Sequence, residues 1–181
     1  MRITEKYTFF YGTNDIYSNF HPAPFVTDVI ELGLIKQSFP DSEHYFMLCK
    51  ALYFHDLRTA KRIITAETPA IAKALGRVVT NFNKEVWDAA SREWMDLACY
   101  FKFSQNPELL KQLLSTKGTI LVEASPTDTL WGVGMNYYDD RILDPANWRG
   151  KNWLGEVLTA LRDRYLSGLL NTKYPIPSSS T

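Results

Sequence analysis

The sequence predicts a single α+β domain, mostly helical, with a small sheet built from N-terminal and central parts of the chain. Three observations lead there. The 181 residues are the size of one domain with one packed core. Beyond residue 41, apolar residues recur at helical spacing between recognisable caps. The β-branched and aromatic runs that suit strands are short, and lie in the first forty residues and again near residue 120. No internal repeat or linker divides the chain. The domain is expected over residues 1–170, with 171–181, ending in PIPSSST, as a disordered tail.

Taken in order, Lys6 to Tyr11 reads as a strand stopped by Gly12. Pro24 to Ile30 and Leu34 to Phe39 flank the turn Glu31-Leu32-Gly33 and predict a hairpin. Residues 41–54 switch to helical spacing through Tyr45, Leu48, Cys49 and Leu52, with Asp41 or Ser42 as N-cap. A second helix covers 56–66. A third starts at the Thr68 cap, with Pro69 in its first turn and Gly76 as its expected stop. Asn83 opens the longest helix, whose apolar stripe is read through Val86, Ala90, Trp94, Leu97, Ala98 and Phe101, ending near Gln105. Trp87 lies beside that stripe. Asn106-Pro107 opens a fifth helix closed by Gly118, and Thr119 to Ala124 forms a strand with an acidic end. A turn-rich segment from Ser125 to Gly150 follows. Residues 152–170 close the fold as an amphipathic helix through Leu154, Leu158, Leu161 and Tyr165.

Composition narrows the function classes. Twenty Lys+Arg balance 20 Asp+Glu, which excludes a protein that grips nucleic acid mainly by its phosphates, since that needs an excess of cations. No apolar stretch approaches the ~18 residues of a membrane span. The start, MRITEKYTFFYG, has no signal-peptide core. A cytoplasmic protein is expected, or a nuclear one in a eukaryote, with no membrane partner. Cys49 and Cys99 fit no zinc spacing, sit in apolar helical patterns and read as buried, reduced thiols. His21, His44 and His55 form no HExxH pair, and no metal is expected.

Several segments carry polar chemistry. Gly118, Gly132, Gly134, Gly150 and Gly155 accompany Asp128, Trp131, Asn136, Asp139, Asp140, Arg149, Lys151 and Trp153. That segment reads equally as a solvated loop or as a binding loop whose glycines let the backbone approach a ligand. It is neither a Walker nor a Rossmann loop. Arg149, Lys151 and Asn152 stand just ahead of a helix N-terminus, where free N–H groups favour phosphate. SEHYFMLCK places Glu43 and Lys50 on one helix face two turns apart. A first-turn carboxylate also simply complements the helix dipole, and His44 and Tyr45 serve equally well for capping and packing. The basic run Arg58, Lys61, Arg62, Lys73 and Arg77, opposed only by Glu67, is a solvated face or a phosphate contact. Trp87 is either a boundary-packing residue or a platform for a planar ligand.

The blocks FYG, SNFHPAPF, SEHYFMLCKA, ALGRVV, VWDAASREWM, KFSQNPELLKQLLST, LVEASPTDTLWGVG and GKNWLGEVL occur in that order. Together they make the chain from Phe9 to Leu166 resemble the NADAR, or YbiA-like, family. The likeness departs from the commoner pattern at Met47 and Cys49, which stand where glutamines are frequent. It implies an N-glycosidase that breaks the bond between ribose C1 and an amine nitrogen, with no cofactor and no metal. The substrate classes it implies are ribosylamino pyrimidine phosphates of riboflavin synthesis, or ADP-ribose on the guanine amino group of DNA or RNA. By motif position the family's acidic residue is Glu43, its pocket tryptophan Trp87, its aspartate before WG Asp128 and its lysine Lys50.

The chemistry suits those residues. Breaking a ribosyl C–N bond builds positive charge at C1 and needs a proton on the departing amine, which a pair of carboxylates such as Glu43 and Asp128 can supply. Alternatively, ring opening to an imine would let Lys50 capture C1 as a Schiff base. Trp87, with Tyr45 or Trp131, is expected to stack on the base or the ribose. Asn19, Gly132, Arg149 and Lys151 are expected to contact ribose or diphosphate. A non-catalytic reader of ADP-ribose would keep Trp87 and the Gly-rich segment without needing Glu43. A toxin-neutralising interaction protein would instead work through exposed apolar surface.

Overall fold

The computed structural model describes residues 1–169, so the expected tail at 171–181 and the last residue of the expected domain lie outside the described residues. The chain begins with strands β1 (Arg2–Ile3), β2 (Tyr7–Phe10), β3 (Phe25–Val29) and β4 (Leu34–Phe39). Helices α1 (Ser42–Tyr53), α2 (Leu57–Ile64), α3 (Pro69–Arg77), α4 (Lys84–Ser104) and α5 (Pro107–Ser115) follow, then β5 (Ile120–Glu123) and α6 (Trp153–Ser167). The expected α+β class holds. β3 and β4 form the expected antiparallel hairpin, turned through Gly33 at φ 65°. β2 lies between β1 and β5, antiparallel to the first and parallel to the second.

Helix α1 is the centre of the fold. Every residue from Ser42 through Cys49 is buried, because SEHYFMLCKALY is apolar around most of its circumference. Asp41 caps it, accepting from the His44 N–H at 3.0 Å. The main core gathers Leu48 of α1, Phe103 of α4, Leu158 of α6 and the hairpin residues Phe25 and Phe39. A smaller cluster of Phe9, Val122, Val133 and Ile142 lies under the turn-rich segment. Cys49 and Cys99 are free and buried, as expected, and burial pushes both thiols up to about 12.

Two expectations need correction. Gly76 does not stop α3, which continues to Arg77. A Cβ at Gly76 would stand 2.0 Å from Met47 Sδ, so the glycine lets α3 close onto α1 instead. The buried face of α4 is also rotated from the stripe read in the sequence. Val86 is 44% exposed, while Trp87, Ser91, Met95, Ala98 and Lys102 are buried. Two polar residues, Ser91 and Lys102, sit on the inward face and disguise it to any reading by hydrophobicity alone.

Asp56 holds the α2–α3 layer to the turn before α4. One carboxylate oxygen accepts from Thr59 N at 2.9 Å and the other from Thr80 N at 2.9 Å. These two bonds hold its carboxyl well below the usual range. Asp56→Ala should therefore cost about 1–2 kcal/mol in urea unfolding at neutral pH, the scale of a lost cap. Because the folded carboxyl is depressed, that contribution is present above the unfolded value of about 4 and fades as pH falls below it. The gap between wild type and variant should shrink accordingly in acid.

Candidate active site

β2 and β5 run parallel with Phe10 opposite Glu123, so the chain leaves both strands at the same end of the sheet. The segment after Tyr11 and the loop Ser125–Leu130 therefore flank one opening. The start of α1 is drawn to it by Asn19, whose backbone carbonyl accepts from Glu43 N at 3.2 Å and whose Oδ1 accepts from Ser42 Oγ at 3.0 Å. The neighbouring Ser18 carbonyl accepts from the buried Lys102 ammonium at 2.7 Å. α3 supplies Lys73 and Arg77 from the other side.

These elements enclose a cleft of two connected parts. An inner chamber of about 100 Å³ is lined by Asn19, Glu43, Met47, Glu123, Asp128 and Trp131. An outer basin of about 530 Å³ is lined by Tyr11, Thr13, Arg77, Thr127 and Thr129. Ser18, Phe20, Lys73, Glu123 and Asp128 border both. Lys73 Nζ also lies 5.4 Å from the Phe20 ring centre.

Three carboxylates thus share one small space. Asp128 is fastened by its own loop, Oδ1 accepting from Leu130 N at 2.9 Å and Trp131 N at 2.8 Å. Glu123 ends β5, and its Oε2 is buried without a hydrogen-bond partner. Burial pushes the Glu43 carboxyl up to about 7; Lys73 opposes the rise, Asp41 and Asp128 add to it, and His44 opposes it. Burial pushes Glu123 up to about 8, with Asp128 adding, Lys73 opposing and Glu43 adding. The chamber therefore holds protons that can be given up near neutral pH, beside the negative charge of Asp128.

Glu123 was not singled out by the sequence reading, and Lys73 entered it only within a basic run read as a solvated face or a phosphate contact. The signal for Glu123 was the acidic end of the LVEASPTD strand. The backbone of Glu123 is set by Asn152, whose Oδ1 accepts from Glu123 N at 3.0 Å and whose Nδ2 donates to Leu121 O at 3.0 Å. Asn152 therefore serves the sheet, not a phosphate.

Of the residues singled out in the sequence, Glu43, Asp128, Asn19 and Trp131 line the cleft. Lys50 does not. Its Nζ stands 4.0 Å from the Phe82 ring centre, and burial lowers its pKa. Trp87 is 6% exposed and packs on Phe46 with ring centres 5.4 Å apart, so it backs a cleft residue from within the core. Tyr45 packs edge-on against Phe25, Phe39 and Phe101 and lines a separate cavity, of about 430 Å³, between α1 and the hairpin. Gly132 serves packing: a Cβ there would meet the carbonyl oxygens of Glu123 at 2.9 Å and Asp128 at 3.0 Å. Arg149 and Lys151 are exposed and border neither part of the cleft, and Lys151 Nζ lies 4.9 Å from the Trp153 ring centre. Among the described residues, no group of three or more His, Cys, Asp or Glu side chains is arranged to hold a metal ion.

Comparison with known proteins gives a consistent picture. The NADAR domain model matches residues 9–166. Protein irg-1 of Caenorhabditis elegans is 39% identical over 170 residues, covering 88% of this chain and 80% of that one. An N-glycosidase of Acanthamoeba polyphaga mimivirus is 37% identical over 166 residues, covering 88% and 96%. A riboflavin biosynthesis protein of Arabidopsis thaliana, chloroplastic, is 38% identical over 110 residues, which span 59% of this chain but 16% of that protein. The NMR structure of the E. coli protein YbiA superposes with a TM-score of 0.72 at 28% identity, covering 97% of this chain and 94% of that one.

The crowding of carboxylates can be tested directly. Asp128→Asn removes a negative charge, so both Glu43 and Glu123 should ionise at lower pH than in the wild type. Carboxyl ¹³C NMR titration reads this, and unchanged midpoints would mean that the three groups do not share the chamber.

Proposed function

Since the chain belongs to the NADAR domain family and is a hydrolase of N-glycosyl bonds, we propose that its substrate is ADP-ribose joined to the amino group of guanine in DNA or RNA. The observation that supports this reading is the two-part shape of the cleft. The inner chamber of about 100 Å³ is on the scale of a ribose, while the wider outer basin carries Lys73 and Arg77, two cations suited to a diphosphate. Tyr11 and Phe20 border that basin and offer ring faces to a base. The zero net charge fits an enzyme that binds the modification itself and holds little of the duplex.

The reaction then proceeds by the chain's own carboxyls. The C1–N bond breaks, the amine nitrogen leaves with the proton of Glu43, and water adds to C1 to give free ADP-ribose and the unmodified base. Asp128, oriented by two backbone amides, faces the positive charge that develops at C1 and accepts a proton from the water. Glu123 lines the same chamber as a second buried proton store. A Schiff-base route through Lys50 would need that amine in the cleft, and the cleft-lining amine is Lys73.

A second reading, hydrolysis of a ribosylamino pyrimidine phosphate, draws on the likeness to the plant riboflavin protein. The two separate in one experiment. ADP-ribosyl-guanine oligonucleotide and a ribosylaminopyrimidine phosphate are incubated with the protein, and released base and sugar are followed by mass spectrometry. Release from the oligonucleotide is expected. Turnover of only the pyrimidine substrate would favour the second reading, and ADP-ribose binding without any turnover would leave a reader module. Glu43→Gln should lower kcat by about 10²-fold or more. Arg77→Ala should raise KM about tenfold with kcat little changed. Borohydride with substrate should leave Lys50 unmodified; an adduct there would overturn the placement given above.

A further inference from the structure

His44 follows Glu43 in the first turn of α1 and is 1% exposed. Its Nδ1 lies 2.8 and 2.9 Å from the two carboxylate oxygens of Asp41, and its Nε2 lies 3.1 Å from the Ala66 carbonyl oxygen. Carboxylate and carbonyl oxygens only accept, so each ring nitrogen must donate. A neutral imidazole carries one proton and would set a bare lone pair against oxygen at one end. We propose that His44 is held as a doubly protonated imidazolium, a positioning residue that fixes Glu43 relative to Lys73.

The connectivity explains how. Asp41 caps α1, which carries Glu43, while Ala66 lies in the short connection that leads into α3, which carries Lys73. The imidazolium therefore joins the two elements that supply the proton donor and the cation of the cleft. A neutral ring would release one end of the link and let α3 drift from the carboxylates.

The charges around the ring agree with this assignment. From its own element it faces Asp41 and Glu43, and the α2–α3 connection presents the Ala66 carbonyl. From α4 the Lys102 ammonium also feels Asp41, although burial pushes it down to about 8. Burial opposes charge on His44, but Asp41, then Ala66, then Glu43 outweigh it and leave its pKa raised. The stabilisation this gives is complete below the unfolded value of about 6.5 and is lost as pH rises through the higher folded value.

The protonation does not depend on the substrate; only its kinetic consequence rests on the reading of Glu43 as proton donor. Long-range ¹H–¹⁵N correlation of the labelled protein, with His44→Gln to assign the signals, should show both His44 ring nitrogens protonated at about pH 7.5. One protonated and one bare nitrogen there would overturn the proposal, whether or not the variant folds. In turnover of any N-ribosyl substrate, His44→Gln should lower kcat about tenfold or more and also raise KM, because α3, which His44 anchors, carries Arg77 as well as Lys73. Its alkaline limb should also move to higher pH, because removing a positive charge lets Glu43 keep its proton longer. A limb that stays in place would reduce His44 to a packing residue. Failure of all substrates would sink the proposed function while the nitrogen shifts still decide the protonation.

Discussion

A helix start buried on all sides must settle its polar residues inside the protein, and α1 meets that requirement in its first turn. Asp41 takes the His44 backbone and ring, Ser42 donates to Asn19, and the Glu43 backbone bonds to the Asn19 carbonyl. Each of these bonds satisfies a group that burial would otherwise penalise by about 1–3 kcal/mol. The bonds to Asn19 draw its segment against the helix start, and the His44 contact with the Ala66 carbonyl draws in the connection before α3. The cleft is thus a by-product of satisfying α1. Glu43 is the group in that turn whose carboxyl is left facing open volume, and burial gives it a proton to spend near neutral pH.

Lys102 does for the rim what Asn19 does for the floor. An ammonium buried on the inward face of α4 is costly, and its bond to the Ser18 carbonyl offsets part of that cost. It also fixes the loop between Gly12 and Pro24 that forms one wall of the cleft. On the opposite wall, Gly132 lets the 125–134 loop lie directly on the end of β5. Asp128 and Glu123 therefore converge although they come from a loop and a strand. The shape of the site is thus set by contacts to backbone, and its charge by the side chains those contacts bring together.

Much of the fold was legible in the sequence because caps and breakers act locally. Asp41, Thr68 with Pro69, Asn83 and Asn106 all stand at the helix starts they predict. Two errors arose where a residue's role is set by a distant partner. Gly76 looked like a terminator because glycine ends helices, yet its purpose is the approach to Met47. Trp87 looked peripheral because Ser91 and Lys102 broke the apolar period on its own face. The site divides in the same way. Glu43 and Asp128 were found through short motifs, whereas Glu123 becomes visible only when parallel pairing of β2 with β5 places it, and the packing of α3 is what singles out Lys73 from its basic run. Lys50, Arg149 and Lys151 carried the right chemistry in segments that the fold turns elsewhere.

The amide of Asn152 has a consequence beyond the site. By accepting from Glu123 N and donating to Leu121 O, while Thr159 Oγ1 accepts from Leu121 N, side chains occupy hydrogen-bonding positions that a neighbouring strand would take on the open edge of β5. A sheet of three strands would otherwise present that edge as a template for another chain. The edge is closed here by neutral side chains from α6 and its cap, without the charges or proline that commonly blunt such edges. Self-association by strand addition is blocked on that side, so the sheet can stay small without becoming sticky.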